Sequence, residues 1–233
     1  MKLKSLIIGT AAALSVASMA IADRGSDGHV NIIYWQAPSI LNPYLSGGTK
    51  DVESSSMIIE PLARYNQDGE LTAWLATEIP TVSNGGVSAD LMSITWNITP
   101  GIKWSDGSAF TAHDVVFTGN YCMNPDGGCA QSNKLADVAN IEALDDLTVK
   151  VTFSVAKPFP YGPFVGAEQP IIQKAQFADC AGAKAPECTA ENFGPIGTGP
   201  FVVTDFKAND VITMEANPHY RRSEERRVGK ECR

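Results

Sequence analysis

Histidine is scarce in this 233-residue chain: only His29, His113 and His219 occur. His113 falls in the first turn of an expected helix and the other two near ends or turns, with no Cys or acid at ligand spacing. The histidines therefore give a metal centre or imidazole catalysis little footing. The Gly-x-Ser-x-Gly elbow is absent, so a hydrolase nucleophile has no visible seat. No Gly-Lys-Ser/Thr occurs either, and Gly197-Thr198-Gly199 is followed by Pro200 without a third glycine, which reads as a turn rather than a phosphate loop. No internal repeat and no low-complexity tract interrupts the body of the chain. Basic residues are in deficit, 18 against 26 acidic ones.

What is present begins with a leader-like segment. Met1-Lys2-Leu3-Lys4 is basic, an apolar run follows from Leu6 to about Ile21, and Ala20-Ile21-Ala22 precedes Asp23. That is the n-region, h-region and cleavage site of a secretory signal peptide, 1–22, with the mature start at Asp23. The run is short and followed by no stop-transfer pattern, which argues against a permanent anchor. At the other end Arg222 to Arg233 is a charge-dense run with no period, resembling residue for residue the in-frame translation of a common sequencing adapter. Segment 222–233 is therefore read as an adapter-derived or otherwise added tail, and the chain as an N-terminal fragment. Setting aside two lysines in the leader and five basic and three acidic residues in the tail leaves 11 basic against 23 acidic, a net charge of −12. Such an acidic body is a poor partner for nucleic acid or an anionic membrane.

Without Cys232, four cysteines remain: Cys122, Cys129, Cys180 and Cys188. Three connectivities exist, and the short spacings favour two local disulfides, Cys122–Cys129 and Cys180–Cys188, in an oxidising compartment. A zinc site is the rival, but both spacings are wider than the usual Cys-x₂₋₄-Cys.

Along the mature chain, Val30 to Gln36 alternates as a strand and Leu41-Asn42-Pro43-Tyr44 turns. Thr49 is placed to cap a helix over Lys50–Glu60, stopped by Pro61. Ala63–Asn66, Asp68-Gly69 and Leu71 make a hairpin. Met92, Ile94, Trp96 and Ile98 alternate with polar residues, as do Leu147, Val149, Val151, Phe153 and Val155, giving two half-buried strands. Between them lies a corner, Lys103-Trp104-Ser105-Asp106-Gly107. Asp106-Gly107 is a turn dipeptide, and Thr111 with Asp114 approximates a capping box for a helix through Val115-Val116-Phe117. Turn and cap duties explain both acids without a catalytic pair. Trp96 and Trp104 read as core; Trp35, before the first loop, is open as a ligand platform.

Trp104-Ser105-Asp106-Gly107 through Thr111 and Asp114-Val115 resembles the hallmark stretch of the bacterial peptide-type extracellular solute-binding proteins, receptors of ABC importers for peptides and nickel. Three more stretches resemble that family in its order: Ile58 to Ala76, then Pro195-Ile196-Gly197-Thr198-Gly199-Pro200-Phe201, then Asn217-Pro218-His219-Tyr220. The resemblance implies an α/β, periplasmic binding protein-like fold of type II with two lobes, here mostly the N-terminal lobe with its β-rich subdomain. Residues 23–62 and 190–221 would form the lobe core and 63–189 the subdomain.

Under this resemblance the protein is a periplasmic, non-enzymatic, monomeric receptor without cofactor or metal. It would capture a peptide or other small-molecule ligand and deliver it to ABC transporter permease subunits. Lobe contacts to ligand are expected from Ser46, Gly47, Gly48 and Thr49 with Trp35 behind them, and from Phe164, Val165 and Gly166; plain loop structure is the alternative for both. Trp104, Ser105, Asp106, Gly107, Thr111, Asp114, Gly197, Thr198, Gly199 and Pro200 are expected to be structural. A secreted carboxylate-dependent hydrolase, or a chemosensory or chaperone receptor on the same fold, are the competing readings.

Overall fold

In the computed structural model, residues 28–222 are described. The expected leader and nearly all of the expected tail lie outside them. The chain divides after Ile33, and of the first unit only residues 28–33 are described.

The strand expected over Val30–Gln36 does not form. These residues carry no regular structure, and Val30, Ile32, Ile33 and Trp35 are all largely exposed. Alternation marks a strand only where a neighbour satisfies its N–H and C=O groups, and here none is paired. The helix expected over Lys50–Glu60 is shorter and begins one residue earlier. It is α1, Thr49–Ser55, with Gly48 at the N-cap and Thr49 inside the first turn.

The hairpin forms as expected: β1 (Ala63–Tyr65) pairs antiparallel with β2 (Leu71–Ala73). The larger sheet contains β3 (Ser93–Asn97), β4 (Val138–Asp145) and β5 (Thr148–Phe153) in the order β3-β5-β4, all antiparallel. Ile94 opposes Val151 and Trp96 opposes Val149, so the apolar members of both alternating strands share one face. That face is buried and lies under α2 (Ala112–Met123), which contributes Val115, Tyr121 and Cys122 to the same core. Two short helices, α3 (Lys174–Phe177) and α4 (Thr189–Phe193), precede a separate ribbon of β6 (Phe201–Lys207) and β7 (Val211–Ala216). No helix among the described residues is long and apolar enough to cross a membrane.

The Trp104 corner is built as its sequence suggests. Gly107 sits at φ +87°, and Asp106 Oδ1 accepts the Ser108 N–H at 2.9 Å and its hydroxyl at 2.6 Å. Asp106 Oδ2 accepts from Gln173 at 2.9 Å. Burial alone would raise the Asp106 carboxyl, but the bonds from Ser108 and Gln173 hold it below the usual aspartate range. Asp114 serves two helices. One oxygen accepts the Thr111 N–H at 2.9 Å, closing the start of α2, and the other accepts the Lys174 N–H at 3.0 Å, at the start of α3. Trp104 is 1% exposed, its ring against Phe110, and Trp96 is fully buried.

Candidate functional site

The loop expected to meet ligand rests on a buried turn. Asn42 precedes Pro43, whose fixed φ and missing N–H suit the first position of a helical turn. The Asn42 side chain accepts the Tyr44 N–H at 3.1 Å, closing a single 3₁₀ turn over Pro43–Leu45. Leu41, Asn42 and Tyr44 are completely buried, so every polar group on them needs a partner. Asn42 Nδ2 donates to Asn192 Oδ1 at 2.8 Å and to the Tyr121 hydroxyl at 3.1 Å. The Tyr44 hydroxyl donates to the Pro170 carbonyl at 2.5 Å, and the Tyr44 carbonyl accepts the Ala130 N–H at 2.8 Å. Burial, and secondarily the neighbouring Tyr121, pushes the Tyr44 phenol well above its ordinary pKa; burial also raises Tyr121. Both phenols stay neutral at physiological pH, Tyr44 donating to Pro170 and Tyr121 accepting from Asn42.

From this base the chain emerges. Ser46 and Gly48 are half-buried, while Gly47 and Thr49 are exposed. The segment is held from beneath by Asp51, itself 1% exposed. Its carboxylate accepts the Ser46 hydroxyl at 2.6 Å, the Ser39 N–H at 2.7 Å and Lys50 Nζ at 2.9 Å. Burial opposes the charge on Asp51, but the bonds from Ser46, Lys50, Ser39 and Ile40 prevail and lower its pKa. The outcome is a pinned loop whose tip offers backbone rather than bulk.

Phe164, Val165 and Gly166 occupy different environments. Phe164 is fully buried at φ +63°, and its carbonyl accepts the Leu62 N–H at 2.9 Å. Val165 is buried and bridges in parallel to Ala63 at the edge of β1. Gly166 and Ala167 are half-buried and Glu168 is exposed, so the outer face here belongs to 166–168. Trp35 is 71% exposed and stacks loosely on Tyr34, and takes no part in the bonds around Ser46–Thr49.

A third segment, 130–134, joins the two expected patches. Besides the Ala130 bond to Tyr44, the Gln131 amide lies 3.4 Å from the Pro43 carbonyl and 3.5 Å from that of Ser46. Lys134 pairs with Glu168 at 3.1 Å, and the Tyr44–Pro170 bond closes the ring of contacts. Sequence reasoning missed 130–134, as well as Asp51 and Asn192. The only signal near the first is Cys129, which ends the disulfide loop just before it. A hollow of about 450 Å³ opens beside that disulfide, lined in part by Met123, Asn124, Ser132 and Leu135.

The remaining singled-out residues make up the frame. The Ser105 N–H donates to the Gly197 carbonyl at 2.8 Å, so the Trp104 corner and the Gly197-Thr198-Gly199 loop are packed together. Gly199 N–H donates to Ile58 C=O at 2.8 Å, and a Cβ on Gly197 would stand 1.8 Å from that same oxygen. Asn217 closes the loop, accepted by Gly199 through its amide at 2.7 Å and by Pro200 through its backbone at 2.9 Å. Thr198 donates at 2.9 Å to Glu60, a buried acid that also receives Trp74 Nε1 at 2.6 Å and Arg221 at 2.6 Å. Cys122 is joined to Cys129 and Cys180 to Cys188, with Cα separations of 5.1 and 5.8 Å. Glu191 lies near the second pair, but both sulfurs there are committed to each other.

A sequence profile described as "Bacterial extracellular solute-binding proteins, family 5 Middle" matches residues 70–230. Among curated proteins the chain is similar to Protein XP55 of Streptomyces lividans, 29% identical over 201 residues that cover 85% of this chain and 34% of that protein. It is also similar to the glutathione-binding protein GsiB of Pectobacterium atrosepticum, 27% identical over 175 residues covering 75% of this chain and 32% of GsiB. The chain thus spans about a third of the length of these relatives. Among solved structures it is similar to the oligopeptide-binding protein AppA of Bacillus subtilis in complex with a nonapeptide, with a TM-score of 0.70, 22% identity, and coverage of 79% of this chain and 35% of AppA. The fold class is the α/β, periplasmic binding protein-like one that the sequence resemblance implied.

Proposed function

Because the chain belongs to the bacterial extracellular solute-binding proteins of family 5, we propose that it is part of a receptor that captures peptides, or a related small solute, for an ABC importer. The family match over 70–230 is the observation that carries this reading. It is supported by relatives whose names specify glutathione and oligopeptides. Family members are substrate-binding proteins, which supports a non-enzymatic role; no observation favours the hydrolase reading.

The ligand face would be the rim formed by Ser46–Thr49, 130–134 and 166–168. Gly47 and Gly48 leave main-chain groups at that rim without side-chain walls, a surface suited to an extended peptide's backbone. Phe164 and Val165 would act from behind, holding Gly166 in place, and Trp35 would contribute from its exposed stretch. Residues 23–62 and 190–221 would be lobe core, with 63–189 an added subdomain. Permease subunits are the expected protein partners and export the expected route.

Calorimetric titration with glutathione and with defined di- to pentapeptides, each sample then checked by mass spectrometry for cleavage, tests the proposal. A gene product continuing to the length of the relatives should bind at least one probe saturably and return it intact. The 233-residue chain should bind the same probe more weakly. Turnover of the peptides would overturn the receptor reading.

A further inference from the structure

The turn beneath the ligand loop is gripped from two sides, and each grip begins at a disulfide. On one side Cys122–Cys129 closes the loop after α2. Tyr121, next to Cys122, receives Asn42 Nδ2 at 3.1 Å, and Ala130, next to Cys129, donates to the Tyr44 carbonyl at 2.8 Å. On the other side Cys180–Cys188 closes the loop that enters α4. The Cys188 carbonyl accepts the Asn192 N–H at 3.0 Å, and Asn192 Nδ2 donates to Ala185, inside that loop, at 2.8 Å. Asn192 then accepts the Leu41 N–H on its carbonyl at 2.9 Å and Asn42 Nδ2 on its side chain at 2.8 Å. Between the paired cysteines the chain adds only short 3₁₀ turns, Pro125–Gly127 and Gly182–Glu187, so the links constrain the segments that carry Ala130 and Asn192.

We infer that the two disulfides are positioning elements for the ligand loop, and that their reduction releases it. In each link one cysteine is buried, Cys122 or Cys180, and its partner, Cys129 or Cys188, is half-exposed. A dithiol reductant attacks as thiolate at the half-exposed sulfur and expels the buried one as the leaving thiolate. The reductant's second thiol then closes on the mixed disulfide. Each link gains two electrons and two protons, and the reductant leaves as its own disulfide. The loosened turn no longer presents Ser46–Thr49 in one conformation, so binding would weaken by the fraction of time the loop spends misplaced. That functional consequence rests on the receptor reading above; the structural coupling does not.

Hydrogen exchange read by mass spectrometry tests the coupling without any ligand, on the full chain before and after dithiothreitol. The C122S/C129S and C180S/C188S variants and Asn192→Asp, which removes the donor to Ala185 while keeping its size, are measured alongside. The Leu41, Tyr44 and Leu45 amides should exchange at least tenfold faster on reduction and in every variant. Those of Trp96, Val149 and Val151 in the large sheet should keep their rates. Unchanged exchange at Leu41–Leu45 would overturn the inference. So would equal acceleration of loop and sheet, which would mean general destabilisation. If a cysteine pair variant does not fold, reduction of the folded oxidised chain gives the same readout. Failure here leaves the receptor reading standing, and peptide turnover in the titration would sink that reading without touching this one.

Discussion

Replacing Gly197 by alanine should be among the most damaging single-methyl additions the chain can receive. The added Cβ would fall 1.8 Å from the Ile58 carbonyl oxygen and 2.5 Å from its carbon. An ordinary C···O contact is about 3.3–3.6 Å, so one backbone segment has to retreat by about 1.5 Å. No rotamer change can relieve this, because the obstacle is main chain. Overpacking of that kind costs about 1–3 kcal/mol, occasionally more. The retreat also disturbs two backbone bonds, Ser105 to Gly197 and Gly199 to Ile58, each 2.8 Å long. At about 0.5–1.5 kcal/mol net apiece, they bring the expected loss to roughly 2–6 kcal/mol. Urea unfolding followed by Trp fluorescence should show the midpoint of G197A lowered by about 1–3 M, given a slope of about 2 kcal/mol/M. Gly47→Ala is the control. Nothing lies within 4 Å of its added Cβ, and the change should stay within about 0.5 kcal/mol. If G197A loses less than about 1 kcal/mol, the close approach of the two segments is not as described.

Two further outcomes follow from the carboxylates. Asp114→Ala removes acceptors from the first turns of both α2 and α3, and should cost about 1–2 kcal/mol in the same assay. Asp51 is held below its unfolded value of about 3.9, so its contribution is complete above that pH and is lost as pH falls through the folded value. Asp51→Asn should therefore be less stable than the parent at neutral pH, with the two curves converging below about pH 4; a constant difference down to pH 2 would refute the assignment.

The parts of the fold legible in the sequence are those whose residues answer to near neighbours. The alternation around Trp96 and Val151 marks β3 and β5 because one face of each is buried and the other is not. Asp106-Gly107 and Thr111 with Asp114 fix a turn and a helix start within a few residues, and the two short cysteine spacings close on themselves. Val30–Gln36 has the same kind of alternation and forms no strand, since pairing depends on residues far away that the pattern does not reveal. The candidate rim was half legible. Ser46–Thr49 is conspicuous as a glycine-rich loop, but Ala130–Lys134 looks like any polar connection. Glu60 resembled the acidic end of a helix; its partners Thr198 and Arg221 lie 138 and 161 positions away. Phe164, apolar beside a Pro-rich turn, could be read as a ligand contact or as core, and only its burial decides.

The long reach of Glu60 also constrains the order of events as the chain folds. Its carboxylate stands between Trp74, 14 positions on, and Thr198 and Arg221, 138 and 161 positions on. A polypeptide emerging N-terminus first has the β1–β2 hairpin and the large sheet long before it has the two groups that hold this buried charge. Until they arrive, Glu60 must stay hydrated and the surface around Ile58 must stay open, because an unpaired buried carboxylate costs several kcal/mol. Contacts of such sequence separation also slow the final collapse. The arrangement works as a timer: the core around Glu60 cannot close until the chain has extended as far as Arg221.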